Sequence, residues 1–160
     1  MGLSDGSIAA TLDGSSPAQT ISAIYGRSHA VVIGINDYRH DTSTLPDLQG
    51  AVADAKSVSS ALKQRGFRVD LFLNSDATYE SLQRYFSQIL PTKVGPNDRL
   101  LVYFAGHGIT EDGRGYLLPQ DAQLTSSGQP QKAIWMNMIQ MFLQNTSARH
   151  IMYIADACYS

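Results

Sequence analysis

The chain has 160 residues, of which 43% are hydrophobic and 16% charged, and its formal net charge is −2. That is enough for one ordinary domain with a core of its own. The charge balance excludes a basic stripe for nucleic acid, no apolar run nears the roughly 18 residues of a membrane span, and nothing at the N-terminus resembles a signal peptide. The one cysteine cannot form an intramolecular disulfide, and four scattered histidines do not complete a Cys-rich metal site. A cytoplasmic α/β protein without nucleic acid or membrane partners is expected.

Residues 1–26 are rich in Ser, Gly, Ala and Thr around Pro17 and hold no sustained period, which reads as a flexible leader. The domain is expected over 27–160. His29 to Ile35 is a continuous, β-branched apolar run, suited to a strand buried on both faces. Asn36 to Gln49 is a loop, and Gly50 to Arg65 places Val52, Ala55, Val58 and Leu62 at helical spacing before Gly66. Phe67 to Leu73 alternates and reads as a strand nearer an edge. Thr78 can cap a helix to about Leu90, which Pro91, Gly95 and Pro96 are expected to break.

Arg99 to Ala105 is a third buried strand. Residues 109–119 contain Asp112-Gly-Arg-Gly115, a hairpin signal, and residues 122–131 are polar. Ile134 to Gln144 has helical spacing, and His150 to Ala155 is a fourth buried strand. Strands alternating with helices predict a mostly parallel sheet covered on both faces.

In such sheets, sites form outside the carboxyl ends of the strands. Four loops there carry Asn36, Asp37 and His40; Asn74 and Asp76; His107; and Asp156 with Cys158. If the third and fourth strands are neighbours, a thiol sits beside a base that can take its proton. The amides of Gly108 and Cys158 could then bind a developing oxyanion. Each residue also has an ordinary role: Cys158 as a small buried filler, His107 as a turn residue between glycines, Asp156 as a loop cap, Asp54 as an exposed helix charge.

Phe104-Ala-Gly-His-Gly108 followed by Asp156-Ala-Cys-Tyr-Ser160 resembles the catalytic half of a caspase-like peptidase. Val31 to Tyr38 and Leu48 to Ala55 resemble its first strand and first helix. The histidine precedes the cysteine by about 50 residues, as in caspases. The resemblance implies a three-layer caspase-like fold, the large-subunit half, with the C-terminal strands of the small subunit missing. It also implies a cysteine endopeptidase with His107 and Cys158 as the catalytic pair.

The chain departs from animal caspases. It has Asp156 where their cysteine motif begins with Gln, and Leu48 where they hold an arginine. Asp54 and Asp156 instead match metacaspases and their prokaryotic relatives, which implies cleavage after Arg or Lys. Two carboxylates in a pocket attract a cation and repel an aspartate. Many metacaspases bind calcium through an acidic cluster after the histidine. Here that segment offers only Glu111, Asp112 and Asp121, so neither calcium nor another cofactor is expected. Expected partners are peptide or protein substrates, the small-subunit segment, and a dimer or larger protein. The alternatives are a non-catalytic caspase-like adaptor and a nucleotide-binding or phospho-acceptor domain. The second lacks both a third glycine and a Gly-Lys-Ser/Thr phosphate loop.

Overall fold

A computed structural model describes residues 24–40, 42 and 45–157 of the chain. Most of the expected leader, residues 1–23, lies outside the described residues, as does Cys158.

Four parallel strands form the central sheet: β1 (Ser28–Gly34), β2 (Arg68–Leu73), β3 (Arg99–Ala105) and β9 (His150–Asp156), in the order β2-β1-β3-β9. β1 and β3 lie at the centre, and this explains their uninterrupted apolar runs. Val31, Ile33, Val102 and Phe104 face one side; Ala30, Val32, Tyr103 and Ala105 face the other. Burial of each large aliphatic side chain contributes about 1.5–3 kcal/mol.

Helix α1 (Ala51–Gln64) covers the second side, burying Ala51 and Ala55. It approaches β1 closely because Gly34 has no side chain. A Cβ there would lie 2.5 Å from Ala55 Cβ and 2.8 Å from the Ala51 carbonyl. At its far end Gly66 takes φ +80°, and the N–H groups of Gly66 and Phe67 donate to Lys63 and Leu62, the left-handed ending that glycine favours.

The first side is covered by two helical segments. α2 (Tyr79–Arg84) starts at Thr78, whose hydroxyl accepts from Ser81 N–H. It continues through a π-helical turn (Tyr85–Ile89) into α3 (Leu90–Lys93). α4 (Met136–Gln144) packs beside them, and Leu82, Phe86, Leu90, Ile139 and Leu143 fill the layer between. The fold is therefore the expected three-layer α/β arrangement.

Some local expectations are corrected. Pro91 does not end its helix. The Leu90 N–H reaches back five residues to the Tyr85 carbonyl, and this slipped register carries the chain past the residue that has no N–H to give. β9 is not a strand buried on both faces. It lies at the end of the sheet order, paired with β3 alone among the described residues, and Met152 and Ile154 are 58% and 40% exposed. The polar stretch also holds a small strand pair, β6 (Gln123–Leu124) with β7 (Pro130–Gln131).

The expected hairpin is present as β4 (Gly108–Glu111) and β5 (Arg114–Leu117). Asp112 and Gly113 both take positive φ, the turn whose twist suits a two-residue hairpin. β8 (Ile134–Trp135), at the start of the expected helix, pairs with β5 instead.

Candidate active site

The parallel register brings the ends of β1, β3 and β9 level: Gly34 opposes Ala105, and Ala105 opposes Asp156. His107 leaves β3 two residues later. A cleft of about 240 Å³ opens here, lined by His107, Gly106, Asp156, Leu48, Gly50 and Asp54 among others. Three of the expected site residues, His107, Asp54 and Asp156, thus share one concavity. Cys158, expected both as nucleophile and as amide donor, lies outside the described residues, two positions after Asp156.

His107 is held at both ends. Its backbone N–H donates to the Tyr38 hydroxyl at 2.7 Å, and that hydroxyl donates onward to the Leu118 carbonyl at 3.4 Å. The Leu118 N–H donates back to the His107 carbonyl. Tyr38 therefore occupies one rung of what would otherwise be a two-bond strand pair. Burial is the main cause that raises its phenol well above the ordinary range, so it stays a neutral donor. Gly106 makes room for this: a Cβ there would lie 2.9 Å from the Tyr38 oxygen.

The imidazole Nε2 lies 2.7 Å from the Pro46 carbonyl oxygen. A carbonyl can only accept, so Nε2 carries a proton. Nδ1 is then the nitrogen able to take one. Both anchors of His107 come from the loop after β1. That loop is itself pinned, with Asp47 accepting from Tyr38 N–H and Asn36 accepting from Val52 N–H.

Gly108 heads the hairpin. In an antiparallel pair, hydrogen-bonded and non-bonded rungs alternate. His107 with Leu118 is a bonded rung, so Gly108 with Leu117 is not. The Gly108 N–H therefore points away from β5.

The two acids meet at Tyr103. Its hydroxyl donates to Asp156 Oδ2 at 3.1 Å. Burial raises the Tyr103 phenol first, the Asp156 bond and charge second and the Asp54 charge last, together to about 12. The phenol therefore remains protonated and holds Asp156 in place. Asp54 projects from the first turn of α1 and is exposed.

The other loop residues are engaged elsewhere. Asn74 accepts from the N–H groups of Asn36 and Asp37 and donates to the Asp37 carboxylate. His40 Nε2 lies against Gln123. The Asp76 carbonyl accepts from Ser81. Asp121, one of three acids after the histidine, is buried, accepting from Tyr79 N–H and pairing with Lys132. Among the described residues no group of three or more His, Cys, Asp or Glu could hold a metal ion.

Sequence reasoning missed Pro46, Tyr38 and Tyr103. For Tyr103 a signal existed: a polar tip facing α1 two residues before a strand end. For Pro46 and Tyr38 there was none, because the partners lie 61 and 69 residues away.

No helix among the described residues is long and apolar enough to cross a membrane. The crystal structure of a protein from Geobacter sulfurreducens matches with a TM-score of 0.65 at 18% identity, over 82% of this chain and 50% of that one. The likeness is one of fold, and this chain spans about half the length of that protein. No curated relative matches. The family profile described as the caspase domain matches residues 27–160, from the residue before β1 through the cysteine motif. With that match over nearly the whole folded part, the chain belongs to the caspase domain family, a family of cysteine peptidases.

Proposed function

We propose that this chain is the catalytic part of a cysteine endopeptidase that cuts after Arg or Lys. The carrying observation is the single cleft that His107 shares with Asp54 and Asp156. His107 Nδ1 takes the proton of the Cys158 thiol, whose sulfur attacks the scissile carbonyl carbon. The Gly108 and Cys158 amides receive the oxyanion. The same nitrogen returns the proton to the leaving amine, and water then hydrolyses the thioester. Pro46 fixes the ring's orientation and its tautomer. Asp54 and Asp156 receive the substrate cation, with Tyr103 as a positioning residue for Asp156.

This chemistry requires no metal or cofactor. Asp121 is already committed to Tyr79 and Lys132, and this leaves Glu111 and Asp112 on a hairpin turn as the acids free for calcium. The acid pair supports the metacaspase-like branch of the family. The domain spans 27–160, after a leader. Small-subunit strands pair with the open side of β9, and the setting is cytoplasmic.

The test is the full-length protein assayed on fluorogenic peptides ending in Arg, Lys or Asp. Turnover of Arg and Lys peptides, abolished in Cys158→Ala, is the expected result. Equal activity of wild type and Cys158→Ala would overturn the peptidase reading. Preference for Asp peptides would overturn only the acid-pocket reading. A non-catalytic adaptor has one observation in its favour, the exposed apolar face of β9. Full-length protein with no turnover and a Cys158 no more reactive than a free thiol would establish it.

A further inference from the structure

A large concavity lies at the opposite, amino end of the sheet. It has a volume of about 830 Å³, within the rough 300–1,000 Å³ range of small-ligand sites. Four arginines line it: Arg27, Arg65, Arg68 and Arg99. Among the described residues no carboxylate lines it, in a chain whose net charge is −2.

Arg99 is built into this wall. Its Nε donates to the Ser28 hydroxyl at 2.8 Å. Its guanidinium lies over the Tyr25 ring at 5.1 Å and the Phe67 ring at 4.5 Å. Such stacking holds the planar fork in one orientation, which is the costly part of binding an oxyanion bidentately. Its two terminal amino groups have no hydrogen-bond partner among the described residues.

Arg68 is exposed, and its guanidinium likewise has no partner among the described residues. Arg27 lies 4.0 Å from buried Asp98 and is 55% exposed, a weak pairing that leaves donors over. Arg65 gives one N–H to the Ala61 carbonyl. With the Arg65, Gly66 and Phe67 backbone N–H groups, it covers the carbonyl end of α1 that would repel an anion.

We propose that this cavity is a binding site for a small phosphorylated ligand, recognised through a pair of phosphate groups. Four guanidiniums around one volume exceed what a single carboxylate can satisfy. Phosphate presents the multiple charge and forked oxygens that arginine matches. The cations come from positions 27, 65, 68 and 99, so no basic stripe is visible along the chain. The proposal is independent of the peptidase reading, since none of these residues borders the His107 cleft.

The probes are inorganic pyrophosphate and ADP, titrated by calorimetry into the full-length protein at constant ionic strength. Saturable one-to-one binding is expected. Arg65→Gln with Arg68→Gln should weaken it at least tenfold, whereas Lys56→Gln with Arg84→Gln, an equal charge change elsewhere, should leave it unchanged. Binding of both probes assigns recognition to the phosphate pair. Tighter binding of ADP adds a contact to the nucleoside. No saturable binding, equal weakening by the two double variants, or binding of ADP without pyrophosphate would each overturn the proposal. If the first double variant fails to fold, Arg27→Gln, on an exposed side chain, carries the same expectation.

Discussion

The two ends of the sheet are built from the same strands, yet Asp98 at one end and the cleft acids Asp54 and Asp156 at the other are used in opposite ways. At the amino end, Asp98 is buried and fully employed. It accepts from Gly95 N–H at 2.8 Å and lies 3.3 Å from His29 Nε2, close enough to attract but without hydrogen-bond alignment. Burial pushes its carboxyl up, but the Gly95 N–H, His29 and Arg27 outweigh it and bring it below the usual range. At the carboxyl end, Asp54 is exposed with no cation beside it among the described residues, and Asp156 accepts from the Tyr103 phenol. Acids whose partners are inside the fold stabilise it, and acids left without a cation are available to bind one. The arginines follow the same division. Arg99 braces the amino end, and among the described residues no arginine or lysine lines the His107 cleft.

The sharpest way to break this comparison is at the carboxyl end. His107→Ala should lower kcat/KM on Arg peptides by at least ~10³, the scale of losing a general base together with its nucleophile's activation. Its melting temperature should stay within a few degrees of wild type. Asp156→Asn should cost about 10²-fold on Arg and Lys peptides, chiefly in KM, since it leaves a cation facing a neutral amide. Tyr103→Phe should cost less, about 3–10-fold, and nothing on an uncharged peptide, because it removes one hydrogen bond to Asp156 and not the charge. A loss shared equally by charged and uncharged peptides would make Tyr103 structural instead.

The amino end should answer in stability. Asp98→Asn should destabilise by about 1–3 kcal/mol, since it leaves buried His29 and the Gly95 N–H poorly matched. For a chain of this size that lowers the melting temperature by roughly 2–4 °C per kcal/mol. Asp54→Asn should not change it. Calorimetry on both variants reads the contrast directly, and equal effects would remove it.

The pH dependence is a smaller effect, spread over both ends of the sheet. Asp98, Asp70 and Asp121 all titrate below the ordinary carboxylate value in the folded chain. Burial opposes this in each, but backbone N–H groups or lysine outweigh it. Their stabilisation is present above about pH 4 and disappears as pH falls through their lowered values. Tyr103 moves the other way, to about 12, and Tyr38 and Tyr85 are likewise raised, chiefly by burial. Their stabilisation is complete below the unfolded phenol value near 10 and disappears as pH rises through the folded ones. Burial lowers the His29 imidazole below its ordinary value, so its neutral burial costs stability as pH falls through the unfolded value near 6.5. Melting temperature should therefore be flat from about pH 7 to 9 and fall on both sides. A fall already under way at pH 8 would contradict the tyrosine assignments.

Much of this arrangement was legible in the chain because it is local. Thr78 caps a helix, Gly66 ends one, and Asp112-Gly113 turns a hairpin through interactions within a few residues. The two central strands show themselves through uninterrupted apolar runs, since burial on both faces leaves no polar position. β9 has a similar run, Ile151 to Ala155, but pairs on one side only among the described residues. Hydrophobicity records which surface should be covered, not whether a neighbour is present. Pro91 misled because the rule against proline presumes an α register, and one π-helical turn removes that premise. That His107 and Asp156 share one edge followed from strand ends, whereas Asp54, on a helix, came only from the family resemblance. The supports of His107 at Tyr38 and Pro46 followed from neither, because a hydroxyl or carbonyl brought from a distant loop has no sequence signature.

The Tyr38 hydroxyl that stands in for one rung beside His107 has a consequence for how variants of this chain would be interpreted. Removing it by Tyr38→Phe leaves every residue of the proposed reaction in place. It nevertheless strands the His107 N–H and the Leu118 carbonyl together, so the histidine backbone and the hairpin behind it lose a shared fastening. A genetic screen would score that change as inactivating and assign Tyr38 to the chemistry. Adding back small phenols would not restore function, as it can for a missing proton donor, because what has been lost is an alignment.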